Sequence, residues 1–245
     1  MKTVAVIQAR IASTRLAAKA LMPLSGKPMI VHVIERARAI NGAGSVILAT
    51  GEAAANDCLA GIAADCGISV FRGSEDNVLE RFYRAVEGTG CDYIIRITGD
   101  NPLTDHISAS GALQHACEKK CDHCSVSGIP IGTGIEIVSM YALERSYREG
   151  STPYHFEHVT PYIKEHPELF SIEKYQSALD NPFPDLRLTV DTPDDFKLME
   201  KIYDALYKGR PILLTEVISF ITANPELINI NCHVEQRPMT HSSNG

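Results

Sequence analysis

Apolar residues recur along the first hundred positions in two alternating rhythms. Short β-rich runs, TVAVIQ at 3–8, SVILAT at 45–50, ISVFRG at 68–73 and DYIIRIT at 92–98, are separated by VHVIERARAI, AANDCLAGIAADC and EDNVLERFYRAVE. In those separators apolar residues return every third or fourth position, so runs of the first kind predict strands and the stretches between them helices. TVAVI has no polar alternation and reads as a strand buried on both faces. This alternation predicts a mostly parallel sheet with helices on both faces, which binds ligands beyond the carboxyl ends of its strands. The polar residues at 8–19, 50–52, 72–76 and 98–102 all fall at those ends.

The second half is less regular. GIEIVS, LFSIEKYQ and LRLTV are expected strands, and TEVISFITAN a last helix. TPDDFKLMEKIYDALY is expected to be a helix with Thr192 as N-cap, Pro193 at the first helical position and acids in the first turn. His115, Cys117, Cys121, His123 and Cys124 form the densest group of potential ligands. A Cys-x-x-Cys with a third Cys four residues earlier could hold zinc. The favoured reading is a helix end with free thiols leading into a strand, since no second ligand pair at finger-like spacing follows. No linker divides the chain, so one domain is expected over 1–230, with a polar, aperiodic and loose tail at 231–245.

Composition narrows the class. A chain of 245 residues with 44% apolar residues has enough apolar mass for one sizeable core. The net charge of −7 argues against a nucleic-acid partner. No run approaches the roughly 18 apolar residues of a membrane span, and Gln8 and Arg10 interrupt the first apolar run where a signal peptide would continue. Seven scattered cysteines do not resemble a secreted disulfide framework. These features predict a cytoplasmic protein.

Against the acidic total, the opening stretch stands out: no Asp or Glu precedes Glu35. The loop after the first strand carries Arg10, Arg15 and Lys19 with Ser13 and Thr14, spaced by small residues. Guanidinium forks, a mobile ammonium, hydroxyls and backbone N–H groups together suit a polyphosphate. Neither the G-x-G-x-x-G nor the G-x-x-x-x-G-K-[ST] loop is present there, which disfavours two common nucleotide readers.

QARIASTRLAAKAL resembles the opening motif of the cytidylyltransferases that make CMP-activated sugars, such as CMP-3-deoxy-octulosonate and CMP-sialate synthetases, and of their spore-coat-polysaccharide-type relatives. The resemblance continues in FRGSEDNVLERFYRA, YIIRITGDNPL, EHVTPYI and LRLTVDTPDDF and spans roughly 3–205. It implies an α/β, Rossmann-like nucleotide-diphospho-sugar transferase fold, with a mixed, mostly parallel sheet flanked by helices, and a homodimer. The implied reaction is Mg²⁺-dependent transfer of CMP from CTP to a sugar acid or related acceptor, with release of pyrophosphate, for cell-surface glycan or glycoconjugate synthesis.

Asp100 follows the fourth strand and Asp191 follows LRLTV. Acids at the carboxyl ends of two strands can converge on one hard cation, although Asp191 could equally cap the helix that starts at Thr192. The resemblance places Mg²⁺ between them and assigns catalysis to Lys19, Arg10 and Asp100. It draws the nucleotide site from Gln8, Ala9, Arg10, Ser13, Thr14, Arg15, Lys19, Thr50, Arg72, Ser74 and Arg96. Arg96 lies in an apolar strand, where a charge must be paired or functional. Glu136, His155 and His158 are candidates for the acceptor pocket; Glu136 could equally face solvent, and the two histidines share a helix face.

Three departures from the family's pattern bear on the acceptor or its access. Ala17-Ala18 replace Pro-Gly, which should stiffen the first loop. Residues 130–136 keep only the final acid, Glu136, of P-D-G-x-D-x-E. Phe156 replaces an Arg before Glu-His-Val. The alternatives are a polyol phosphate or phosphonate acceptor, a glycosyltransferase consuming a nucleotide sugar on the same fold, and a catalytically silent nucleotide-binding module.

Overall fold

The computed structural model describes residues 1–12 and 15–235. Ser13, Thr14 and the tail from 236 onward lie outside the described residues. In chain order the elements are β1 (Thr3–Gln8), a hairpin of β2 (Pro23–Leu24) and β3 (Lys27–Pro28), α1 (Met29–Ala39), β4 (Ser45–Gly51), α2 (Asp57–Asp65), β5 (Ser69–Gly73), α3 (Val78–Val86) and β6 (Tyr93–Thr98). The second half adds α4 (His106–Lys119), β7 (His123–Ser127), β8 (Glu136–Ser139), α5 (Met140–Glu149), α6 (Pro153–His158), α7 (Pro161–Glu165), β9 (Ile172–Gln176), α8 (Pro193–Leu206) and α9 (Leu214–Ala223).

Among the described residues, seven strands form one mixed sheet in the order β5-β4-β1-β6-β8-β7-β9. The first four in that order run parallel, β8 is antiparallel to both its neighbours, and β9 is parallel to β7. Both faces of β1 are covered, which is why its apolar run is continuous. Ala5 and Ile7 pack with residues of α1, α2 and α4; Val4 and Val6 pack with residues of α3, α5 and α7. A third apolar cluster joins the hairpin, the segment 186–190, α8 and α9.

The topology locates the crevice. From β1 the chain moves outward to β4 and β5, then returns to the other side of β1 as β6. Loops leaving β1 and β6 therefore diverge, and a ligand crevice opens where they part. Gly99 lets them separate from a shared base: its N–H bonds the Gln8 carbonyl at 2.8 Å, and a Cβ there would lie 2.8 Å from the Ala9 Cβ.

The structure departs from the expected elements at several points. LRLTV is extended and buried but is not a strand of the sheet. A single bridge ties Arg187 to Ile131, and Val190 bonds the Asp100 carbonyl at 2.9 Å. Being apolar and buried, it looks like a strand locally, but its backbone bonds the loop residues Ile131 and Asp100 instead of a sheet neighbour. Helix α4 buries mainly alanines (Ala109, Ala112, Ala116) around Leu113, so its period carries little contrast in the sequence. Thr192 does cap α8, accepting from Asp195 N–H at 3.2 Å, with Pro193 following. The packed chain continues through Asn231, which is 2% exposed.

Candidate active site

The loop after β1 is drawn between two anchors. Ile11 N–H donates to Asn56 Oδ1 at 2.9 Å, and Ala18 N–H returns to the Ile11 carbonyl at 3.3 Å. A 3₁₀ turn over Lys19–Leu21 follows, entered from Ala18 at φ 51° and ψ 25°. That is the left-handed region, which a glycine would occupy without cost and an alanine at about 1–2 kcal/mol. Ala18 is not a glycine, so local strain sits directly before Lys19.

Lys19 reaches the centre of the crevice. Its ammonium donates to Asp191 Oδ1 at 2.8 Å, to Asp100 Oδ2 at 3.2 Å and to the Val190 carbonyl at 2.7 Å. Arg15 adds a second cation to Asp191 Oδ1 at 3.0 Å, and Arg187 engages Asp191 Oδ2 at 2.8 Å. Burial alone would raise the Asp191 carboxyl; Lys19, Arg15 and Arg187 outweigh it and hold the group below its ordinary range. The positive opening loop and the two acids, far apart in sequence, therefore meet. Both carboxylates present oxygens to one point, and two hard oxygen donors at such a point suit a small divalent cation that keeps its remaining ligands from water and phosphate. Among the described residues no group of three or more His, Cys, Asp or Glu side chains makes a metal cluster, so Asp100 and Asp191 would hold such an ion as a pair.

The other flank of the crevice is a hydrogen-bonded network that holds the candidates Arg10, Arg72 and Ser74 around Glu75, Asn56 and Arg81, which the sequence did not single out. Glu75 accepts from Ala53 N–H at 3.1 Å and Asn56 Nδ2 at 2.8 Å, tying the loop after β5 to the loop after β4. Gly51 permits this, because a Cβ there would overlap the Glu75 carboxylate. Arg10 and the buried Arg81 both donate to the Glu75 carbonyl. Arg72 donates to the carbonyls of Gly51, Glu52 and Ala53 and pairs with Asp57 at 2.6 Å. Ser74 Oγ accepts from Asn77 N–H in the turn before α3. Gln8 Oε1, Thr50 Oγ1 and Asn101 Oδ1 are buried without a partner among the described residues, at or just beyond the ends of β1, β4 and β6. Orphaned polar atoms of this kind cost about 1–3 kcal/mol each and are satisfied when a ligand supplies the missing partner.

Arg96 is not brought to the Lys19 cluster. It lies opposite Glu136 across the antiparallel β6–β8 pair and bonds it at 2.8 Å. Glu136 also takes Lys164 at 2.5 Å, His123 Nε2 at 3.1 Å and the Thr160 hydroxyl at 3.1 Å. Burial would push its carboxyl up, but His123, Arg96 and Lys164 hold it well below the usual carboxylate range. The oxygens of Glu136 are thus taken by protein groups. His155 is likewise engaged: Nδ1 accepts from Ser151 N–H at 3.1 Å and Nε2 meets Glu165 at 2.8 Å. His158 is half-buried, and burial lowers its pKa. Between α6 and α7, Val159 sits at φ 71°, unusual for a β-branched residue. Cys121 and Cys124 are buried free thiols in the core, with Cys117 half-buried, and burial pushes the Cys121 thiol up to about 12.

Known proteins resemble this chain in sequence and in fold. The spore coat polysaccharide biosynthesis protein SpsF of Bacillus subtilis is 30% identical over 234 residues, covering 90% of this chain and 94% of that protein. A cytidylyltransferase structure from Leptospira borgpetersenii superposes with a TM-score of 0.86 at 28% identity, covering 93% of this chain and 97% of that one. The structure of CMP:2-keto-3-deoxy-manno-octonic acid synthetase complexed with CTP shares the fold, with a TM-score of 0.65 at 18% identity, over 83% of this chain and 99% of that one. No helix among the described residues is long and apolar enough to cross a membrane. The cytidylyltransferase family profile matches residues 4–218, and with a crevice that gathers Arg15, Lys19, Asp100 and Asp191 the chain belongs to the cytidylyltransferase family.

Proposed function

We propose that the protein transfers CMP from CTP to a sugar acid or related hydroxyl acceptor, releasing pyrophosphate, in the synthesis of a surface polysaccharide or glycoconjugate. The observation that carries this reading is the convergence of Lys19 and Arg15 on Asp100 and Asp191. In the reaction, the acceptor hydroxyl oxygen bonds to the α-phosphorus as the bond to the departing pyrophosphate breaks. Charge develops on the phosphoryl oxygens and on pyrophosphate, and preorganised cations aimed at that charge lower the barrier. Lys19, Arg15 and, from the opposite flank, Arg10 are the cations for the triphosphate, and Asp100 and Asp191 would hold Mg²⁺. Bound there, Mg²⁺ would neutralise triphosphate oxygens and help fix them for in-line displacement. Gln8, Thr50 and Asn101 offer their orphaned polar atoms to the nucleoside.

Arg72, Ser74 and Glu75 act in this reading by shaping the loops around the nucleotide. His158 is the available acceptor contact; Glu136, Arg96 and His155 hold the wall behind it. SpsF's name supports a polysaccharide role, and the protein complexed with CTP supports the choice of nucleotide. A homodimer is part of the reading and is checked by light scattering.

The test is pyrophosphate release with Mg²⁺ and each nucleoside triphosphate, against a panel of sugar acids, polyol phosphates and phosphonates. Release with CTP and a sugar acid is expected. Sugar transfer without pyrophosphate, or nucleotide binding without turnover under every condition, overturns the reading.

A further inference from the structure

Arg187, Asp195 and Asn231 lie beside the crevice, and none of them was singled out by sequence. Arg187 is 4% exposed. Its Nε donates to Asp195 Oδ1 at 2.9 Å, and one terminal nitrogen is shared between Asp195 Oδ2 at 3.3 Å and Asp191 Oδ2 at 2.8 Å. Asp195 Oδ2 also accepts the backbone N–H groups of Asp191 and Thr192, both at 3.0 Å. Its Oδ1 receives the Asn231 amide at 2.9 Å, and the same amide donates to the Arg187 carbonyl at 3.1 Å.

The arrangement assigns separate tasks to the two acids of the α8 entry. Asp195 has both oxygens taken by the protein and is not free to meet a ligand. Asp191 has Oδ2 fixed by Arg187, so its Oδ1 is left directed at Lys19 and the crevice. Asn231 closes the set from a segment beyond residue 218, where the family match ends. We propose that Arg187, Asp195 and Asn231 brace the Asp191 carboxylate, so that the chain beyond α9 helps order the cation site. The proposal rests on the reading of Asp191 as a cation ligand. Partners behind a ligand fix its orientation, and their loss weakens metal affinity or activity by about 10–100-fold.

Asn231→Ala tests this without stranding a buried charge. Mn²⁺ binding is titrated by electron paramagnetic resonance with CTP present and acceptor absent, alongside the KM for CTP and the thermal midpoint. The expected result is roughly tenfold weaker Mn²⁺ binding with little change in KM for CTP. A merely structural role would lower the midpoint and leave the Mn²⁺ titration unmoved, which overturns the brace. Should the alanine variant fail to fold, Asn231→Ser, whose shorter side chain has a single donor and cannot span both Asp195 and the Arg187 carbonyl, is read the same way and is expected to bind Mn²⁺ more weakly than the parent. Asp191→Asn separates the two levels. If it binds Mn²⁺ like the parent, the cation reading itself fails; if it loses Mn²⁺ while both Asn231 variants bind normally, only the brace fails.

Discussion

Lys19→Met separates two roles that the geometry gives one ammonium. Methionine keeps an unbranched stem and removes the charge. Asp191 retains Arg15 and Arg187, so the variant is expected to fold. In the nucleotide-free protein, Lys19 lies 2.8 Å from one carboxylate and 3.2 Å from the other, where it competes with a divalent cation. Two unit charges 4 Å apart interact by about 1 kcal/mol in water and about 4 kcal/mol at an effective dielectric near 20. The side chains of Lys19, Asp100 and Asp191 are 14%, 30% and 13% exposed, which places this site between those limits. Removing the competitor should tighten Mn²⁺ binding to the nucleotide-free protein by roughly 10–100-fold, or about 1.4–2.7 kcal/mol. Turnover should move the other way, falling about 10²–10³-fold as for loss of one preorganised donor. The assays are a Mn²⁺ titration without CTP and pyrophosphate release with CTP and acceptor. Equal or weaker Mn²⁺ binding by the variant would refute the competition, and unchanged turnover would refute contact with the triphosphate.

Three other outcomes follow from the same contacts. Glu136→Ala strands Arg96, Lys164 and the buried His123, and should cost about 3–5 kcal/mol of stability in chemical denaturation; a loss under 1 kcal/mol would contradict the ion-pair account of this cluster. Glu136, Asp191 and Asp195 have carboxyl pKa values below ordinary in the folded protein, so their stabilisation is complete above the unfolded value near 4 and is lost as pH falls through the lower folded values. Unfolding free energy should begin to decline as pH falls below about 6.5, where the unfolded chain protonates His32, His106 and His158 while burial keeps them neutral in the fold, and should decline further below about pH 4, less steeply there in Glu136→Gln, as denaturation at a series of pH values will show. Ala18→Gly relieves about 1–2 kcal/mol of left-handed strain against about 0.4–1 kcal/mol of added unfolded-state freedom, so it should raise stability by roughly 0.5–1 kcal/mol in thermal unfolding; a lowered midpoint would refute the strain.

The sequence by itself determined the parallel half of the sheet, because strand and helix periods are local and a doubly covered strand must be apolar throughout. It also placed the polar loops at one end of that sheet, and it marked the opening loop as cationic, since no acid lies near enough in the chain to neutralise it. Tertiary structure decided the rest. Lys19 finds Asp100 across 81 residues and Asp191 across 172, and no local pattern encodes such a meeting. Arg96 reads from the sequence as a charge that must be paired or functional, and only the antiparallel neighbour shows Glu136 opposite it. Arg187 and Asp195 fall inside LRLTVDTPDDF, but nothing in that run says that they meet each other, and Asn231 carries no motif signal; burial and convergence give the three their place. Pairing of buried charge is a property of which segments meet, and that is set by topology and packing rather than by the residues' neighbours along the chain.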